Sequence, residues 1–471
     1  MNKTNWEKCK LGKFCPFEYG KGLLAKNRHK GNVPIYGSNG INDWHNQSYV
    51  KTPGIIVGRK GTAGSVHISK IPFWPIDTTF YIKDEPEKRN LLFTYYLLKN
   101  SALKNLVSDS AVPGLNREAA HALELFVPPL EEQKRIAEVL GAFDDKIELL
   151  QKQNKTLEDM AKALFKCWFV DFSVVRAKAT LSSPTVISSP CAGEVAAKPM
   201  GGVEQAENSA NNSPLPACGV LSPQGGQSTA QGLVSVSAGG TERTAWTKER
   251  IMREYHLTEE LYNLFPSSFV DSPLGPIPSG WEVKSLGTIC QLALGGTPSR
   301  TNPKYWENGS IPWINSGKVN DFRIITPSEY ITEAGYNSSA TKLLPIHTTV
   351  VAITGATLGQ VSFTEIECCA NQSVVGILEN EKLASEYIYL FILFNLDKLL
   401  AKQTGGAQQH INKNDIASLI CLVPSEKILE QYKQKQKPLF DKIHNNMVQI
   451  ELLTEIRDNL LPRLISGKIR V

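Results

Sequence analysis

The sequence predicts an α+β fold: two mixed α/β domains in tandem pseudo-repeat, separated by two long helices that pair with each other as an antiparallel coiled coil. Three observations carry this. Stretches of the first half recur in the second at a slowly growing offset, each half ends in a long apolar heptad, and a low-complexity segment lies between them.

The repeat reorganises every later inference, so it comes first. IIVGRKGTAGSV at 55–66 returns as VVAITGATLGQV at 350–361, which sets Arg59 on Thr354, Thr62 on Thr357 and Gly64 on Gly359. TTF at 78–80 falls on SVV at 373–375, and FVPPLEE at 126–132 on LVPSEK at 422–427. Upstream, WEKCKLG at 6–12 answers WEVKSLG at 281–287, and VPIYGS at 33–38 answers IPWINS at 311–316. The offset grows from 275 to 295, so the second copy carries extra residues inside its first half. The boundaries that follow are a first mixed domain at 1–128 and a first long helix at 129–172. A linker and joining segment at 173–262, a second mixed domain at 263–423, and a second long helix with a tail at 424–471 complete the chain.

From about Lys178 to Thr244 the chain is rich in Ser, Ala, Gly and Pro, as in SSPTVISSPCAGEVAAKPMGG, and nearly free of aromatics. Such a stretch cannot bury enough surface to order itself, so a flexible linker is expected there. The helices are read from spacing. Ile136, Leu140, Phe143, Ile147, Leu150, Asn154, Leu157, Ala161, Leu164 and Trp168 alternate by four and three. Tyr432, Gln436, Leu439, Ile443, Asn446, Ile450, Leu453, Arg457, Leu460 and Leu464 do the same. Two seams of equal length favour pairing with each other over packing separately. A buried Asn costs stability but rejects slipped registers, which gives Asn154 and Asn446 a role. At 1.5 Å per residue such a helix is a rod of roughly 57 Å.

Composition excludes several classes. Of 471 residues 41% are hydrophobic and 21% charged, values of a globular protein with material for about three domains. MNKTNWEKCK has no apolar core of the signal-peptide kind, and no run of about eighteen apolar residues occurs. The nine cysteines are scattered without a C-x-x-C pair, which argues against disulfides and structural zinc and favours a reducing cytoplasm. A net charge of +5 permits nucleic-acid binding without demanding it.

Catalytic patterns are weak. GIIVGRKGTAGSV at 54–66 is glycine-rich, but a phosphate loop needs Lys after its closing glycine, where Ser65 stands. Asp271, Glu282 and Lys284 have the spacing of a Mg²⁺-dependent nuclease. Glu282 and Lys284, however, lie in WEVKSLG, whose twin lacks the upstream Asp, and Trp281 and Leu286 suit a half-buried strand. NPKY at 302–305 lacks the second Pro of an amine-binding methyltransferase loop, and His121, His256, His347 and His410 have no nucleophile in a recognisable frame.

What remains suits recognition of double-stranded DNA. First-copy candidates are Tyr36, Ser38, Asn39, His45, Arg59, Lys60, Thr62, Asn116 and Arg117. Second-copy candidates are Arg300, Asn315, Ser316, Lys318, Thr354, Thr357, Asn371, Gln372, Gln408, Gln409, His410, Asn412 and Lys413. Arg, Lys, Asn and Gln make paired hydrogen bonds to base edges, and Gly58, Gly61, Gly405 and Gly406 would let backbone approach a phosphate. Like scaffolds with unlike polar residues, Arg59 against Thr354 or Asn39 against Gly317, should bind different sequences. A stand-alone Mg²⁺-dependent nuclease and a coiled-coil scaffold that never touches DNA are the competing classes.

With these parts assembled, the chain resembles the specificity subunit of type I restriction–modification enzymes. The stretches that carry the resemblance are IPW…S at 311–316, the V-x-x-x-x-G-x-x-G-x-V signatures, and VPPLEEQKRIAEVLGAFDDKIELLQKQNKTLEDMAKALFKCWFVDF at 127–172. NLFPSSFVDSPLGPIPSGWE at 263–282 and the ending RDNLLPRLISGKIRV add to it. The resemblance implies two target-recognition domains, each reading one half of a split DNA sequence, with the helices as a ruler. It implies a non-catalytic subunit that binds no cofactor or metal itself. Its partners would be two copies of an adenine-N6 methyltransferase subunit using S-adenosylmethionine, and motor-nuclease subunits using ATP and Mg²⁺. One departure stands out: the joint after WFVDF is normally short and polar, whereas here a long low-complexity stretch intervenes.

Overall fold

The computed structural model describes residues 6–107, 114–182, 246–403 and 409–471. They fall into two compact units, Met1–Lys152 with Val448–Val471, and Gln153–Met447. Each unit takes part of both long helices, Leu130–Phe165 and Glu426–Ile465, into its own core.

The first unit holds a four-stranded antiparallel sheet in the order Glu18–Tyr19, Thr79–Lys83, Gly54–Gly58, Val66–Ser69. Beside it lies a three-stranded sheet in which Val33–Gly37 pairs with Gly40–His45 and, in parallel, with Trp74–Pro75. Ile55, Val57, Phe80 and Ile82 bury one sheet face against helix Leu91–Lys99 and against Ile136, Leu140, Leu461 and Leu464. The second unit repeats the plan. Its four-stranded order is Leu292–Leu294, Val374–Ile377, Thr349–Ala352, Val361–Phe363. Its three-stranded sheet pairs Ile311–Ile314 with Glu329–Ile331 and, in parallel, with Cys369–Ala370. In both units a two-stranded ladder leads into the long helix, Glu7–Lys10 with Glu124–Val127 and Glu282–Ser285 with Ile420–Val423.

The helices run antiparallel within each unit. In the second unit Asn446 Nδ2 donates to Asn154 Oδ1 at 2.8 Å, and Gln436 Nε2 to the Ala161 carbonyl at 3.1 Å. In the first, Arg457 Nη1 pairs with Asp144 at 2.5 Å. Of the seam residues, Ile136, Leu140, Ile147, Leu150, Asn154, Ala161, Ile443 and Asn446 are buried, while Phe143, Leu157, Leu439, Ile450, Leu453 and Leu460 are half-buried. A tyrosine ties each sheet domain to the first long helix: Tyr96 Oη donates to Asp144 at 2.5 Å, and Tyr389 Oη to Glu158 at 2.6 Å. Beside the second tie the buried Arg323 lies among Phe363, Tyr389 and Phe440, 3.8 Å from both Glu158 and Glu365.

Beyond the first helix a π-helical turn, Lys166–Val170, sets Trp168 against Phe265 and Phe169 against Tyr387 and Tyr432. The first residues of the stretch read as linker are helical. Ser173–Ser182 is a helix, and Lys178 within it is buried with its ammonium donating to the Tyr262 carbonyl at 2.7 Å. Two short helices, Lys248–Glu254 and Glu259–Leu264, complete the described part of the joining segment. Residues 183–245, most of the stretch read as linker, lie outside the described residues.

The amide pair should behave as a pair. Asn154→Ala strands Asn446 in the core and should cost about 1–3 kcal/mol, whereas Asn154→Leu with Asn446→Leu should cost less than the sum of the single changes. Chemical denaturation of the wild type, the singles and the double completes the cycle. Additive losses would show that the two amides do not act together.

Candidate nucleic-acid interface

In each unit the chain turns at the ends of five strands are stitched together by backbone hydrogen bonds. In the first unit Ile76 N–H donates to Tyr36 O at 2.9 Å, Arg59 and Lys60 N–H to Thr78 O at 2.9 and 3.1 Å, and Gly20 N–H to Thr79 O at 3.0 Å. Leu115 N–H donates to Arg59 O at 2.8 Å, which brings the segment before helix Arg117–His121 to the same place. The second unit reproduces this with Asn371 N–H to Ile314 O at 3.0 Å, Ile353 N–H to Ser373 O at 2.9 Å, Gly295 N–H to Val374 O at 3.0 Å and Ile411 N–H to Ile353 O at 3.0 Å. Two glycines allow the close approach. A Cβ on Gly20 would sit 2.1 Å from Ile76 O, and one on Gly295 would sit 2.1 Å from Asn371 O.

These bonds correct the residue equivalences. Ile56 pairs with Tyr81, and Val350 with Gly376. The sheet therefore aligns Ile56 with Val350, one residue off the ungapped alignment. Gly64 N–H closes on Gly58 O, but Gly359 N–H closes on Ala352 O, so the second glycine turn is one residue longer. Arg59 thus corresponds to the buried Ile353, and Lys60 to Thr354, which bridge Gly114 and His410 respectively. Gly61 and Gly355, at φ +74° and +67°, are the matching left-handed positions.

The profile of the family described as the type I restriction modification DNA specificity domain matches residues 3–159 and 278–460. The chain belongs to this family. The HindI specificity subunit of Haemophilus influenzae is 29% identical over 366 residues, covering 76% of this chain and 71% of the relative. The MjaIX specificity subunit of Methanocaldococcus jannaschii is 26% identical over 388 residues, covering 80% and 69%. The type I system S subunit from M. genitalium shares the fold, with a TM-score of 0.51 at 14% identity over 98% of this chain and 97% of that one. The chain is thus a DNA sequence-specificity subunit, the non-catalytic component of a type I restriction–modification complex.

On this specificity subunit the exposed or half-exposed candidates of the first unit are Ser38, Asn39, Arg59, Lys60, Thr62, Asn116 and Arg117. Tyr36 and His45 are buried, contrary to their selection as surface residues. The Tyr36 ring packs edge-on against Phe73, and His45 Nδ1 accepts from His29 N–H at 3.0 Å, so both belong to the core. Tyr19, absent from the candidates, is 49% exposed, with the Arg59 and Arg117 guanidinium carbons 5.2 and 5.1 Å from its ring centre. Extending the WEKCKLG block by eight residues at the same offset pairs Gly20 with Gly295, a signal that points to this loop.

In the second unit Arg300, Asn315, Ser316, Lys318, Thr354, Thr357, Asn371, Gln372, Gln409, His410, Asn412 and Lys413 are exposed or half-exposed, and Gln408, Gly405 and Gly406 lie outside the described residues. Several are already engaged. Asn116, Asn315 and Asn412 cap short helices, their Oδ1 atoms accepting from Ala119, Lys318 and Asp415 N–H at 3.0, 3.0 and 3.1 Å. Thr297 Oγ1 donates to Gln372, and Lys318 pairs with Asp321 at 2.8 Å. Of the nuclease-like set, Glu282 and Lys284 pair with each other on one strand, and the lysine holds the carboxyl below its usual range. His347 pairs with the buried Glu365, whose carboxyl is raised by burial.

His121 supports the interface from beneath, its Nε2 accepting from Phe17 N–H at 2.9 Å. Burial, reinforced by the Arg117 charge, lowers the imidazole from its ordinary range. The folded state therefore binds this proton less readily than the unfolded chain. The stabilisation is complete above about pH 6.5 and is lost as pH falls below it. Thermal unfolding of the wild type should lose ground from pH 7 to 5 relative to His121→Gln, which keeps an acceptor that does not titrate. Parallel curves for the two proteins would exclude this role.

Proposed function

We propose that this specificity subunit binds double-stranded DNA at a bipartite, asymmetric sequence, one unit reading each half-site. The observation that carries the reading is the duplicated strand-end face. Its backbone is nearly superimposable in bonding pattern, yet equivalent positions carry Lys60 and Thr354, Asn39 and Gly317, Gly114 and His410, Arg117 and Lys413. Like scaffolds with different donors and acceptors suit two different base sequences. Arg59, Lys60 and Arg117 in one unit, and Lys318 and Lys413 in the other, supply cations for the phosphate backbone.

On this reading the subunit performs no chemistry and works in the cytoplasm. It recruits two copies of a methyltransferase subunit, which places a methyl group on adenine N6 with S-adenosylmethionine, and motor-nuclease subunits that use ATP and Mg²⁺. The test is single-molecule sequencing of DNA from a methylation-free host. One strain expresses this chain with a methyltransferase subunit, the other the methyltransferase alone. A new N6-methyladenine mark at a split motif, present only with both chains, is expected. Absence of the mark from a complex that co-purifies intact would refute the reading.

The helix pair is the proposed ruler. Removing one heptad from each helix at facing positions, 145–151 and 449–455, takes out about 10 Å of rise. The unread spacer of the methylated motif should shorten by about three base pairs, with both half-sites kept. An unchanged spacer in that variant would remove the ruler role.

A further inference from the structure

The loop after strand Leu292–Leu294 holds a guanidinium in an aromatic corner. Trp313 is buried, with its Nε1–H donating to Gly296 O at 3.1 Å, and Trp306 meets it edge-on at 5.2 Å and 89°. Trp306 Nε1–H donates to Ser299 O at 3.1 Å, which fixes the loop that carries Arg300. The Arg300 guanidinium carbon lies 3.7 Å from the Trp306 ring centre and 4.8 Å from that of Trp313. Its Nη1 pairs with Glu329 at 2.5 Å, and the side chain is nonetheless 48% exposed. Among the described residues, Nε and Nη2 make no hydrogen bond. One edge of a planar fork is thus held by protein, and the other is left for an acceptor pair.

An exposed arginine ordinarily loses rotamer freedom when it binds, and here that freedom is already spent on the two indoles and the carboxylate. The free edge matches two chemistries, a phosphate or the O6 and N7 atoms of guanine. A phosphate contact draws strongly on net charge, which Glu329 beside the fork offsets while fixing the fork's plane. A fixed plane is what a base edge requires. We infer that Arg300 reads a guanine in the half-site of the second unit, an assignment that rests on the DNA-binding function proposed above. The first unit also sets guanidinium groups on an aromatic ring, Arg59 and Arg117 on Tyr19, though at other turns of its face.

The experiment uses the complex with its methyltransferase subunit, bearing Arg300→Lys or Arg300→Ala, with melting curves to confirm folding. Arg300→Lys keeps the charge but cannot make the paired contact. It should relax methylation at one G·C pair of one half-site, lowering affinity for the parent motif roughly ten- to hundredfold while leaving the other half-site intact. Three results would overturn the assignment: half-sites that contain no G·C pair, an unchanged motif in both variants, or an equal loss on every sequence with a shallower salt dependence. The last would mark a phosphate contact. A folded wild-type complex that binds no DNA would bring down the underlying function as well. Wild-type marking that survives Arg300→Lys unaltered would remove this assignment alone.

Discussion

The register of the two long helices is the constraint on which the rest depends, and an apolar seam alone does not set it. Leucine and isoleucine repeating every three and four residues offer similar burial after a shift of one heptad. The Asn154–Asn446 bond does not, because a shift would leave both amides facing apolar neighbours. The pair leaves Asn154 Nδ2 and Asn446 Oδ1 without a protein partner among the described residues, a cost that an all-leucine layer would avoid. Tyr96 on Asp144 and Tyr389 on Glu158 extend the same logic to the sheet domains, since each tie is satisfied at one axial position of the first helix. Polar groups thus convert a greasy seam into a defined alignment of each domain on its helices.

Above this frame, the candidate interface separates scaffold from surface. The turns are joined through main-chain N–H and C=O groups, which every residue type except proline supplies, so side chains there can change without loosening the turns. A few positions are held to a residue type by geometry. Gly20 and Gly295 have no room for a Cβ, Gly61 and Gly355 sit in left-handed backbone, and Asn116 and Asn412 satisfy the first N–H groups of equivalent short helices.

That division explains what could be read from the sequence. The fold class was legible because duplication and heptads are periodic signals, and periodicity survives substitution. The family was legible because its motifs lie in the helices and at the ladders leading into them. Side-chain direction was not. Tyr36 reads as a surface aromatic beside Ser38 and Asn39, but strand Val33–Gly37 is buried along most of its length and the Tyr36 ring packs onto Phe73. The extra residue in the second glycine turn is invisible to an ungapped match, because glycines and valines on its far side still align. It reverses the face of every residue on the near side. The asparagines read as base readers for their amides, and only the folded turns reveal that Asn116, Asn315, Asn371 and Asn412 already accept backbone hydrogen bonds.

The corrected register also sharpens the contrast between the two faces. In the ungapped alignment Arg59 faces Thr354, a cation against a hydroxyl. In the structure Arg59 stands where the second unit has buried Ile353, so the second face lacks that cation altogether. The first face sets Arg59 and Arg117 over Tyr19, with Arg117 also paired with Glu118 at 2.9 Å. At the corresponding turns the second presents Thr354, Asn371, Gln372, Asn315 and the exposed Lys413, with Arg300 held against Glu329 and Lys318 against Asp321. Arg117, Arg300 and Lys318 are thus each opposed by a carboxylate, and such charge-balanced groups, like amides and hydroxyls, gain only where a matching acceptor or donor is fixed. Under the proposed function the two units would then differ, turn by turn, in which donors and acceptors they offer to DNA. The duplication that makes the halves look alike is what permits this, since one backbone serves both and only the side chains at the strand ends decide how DNA is held.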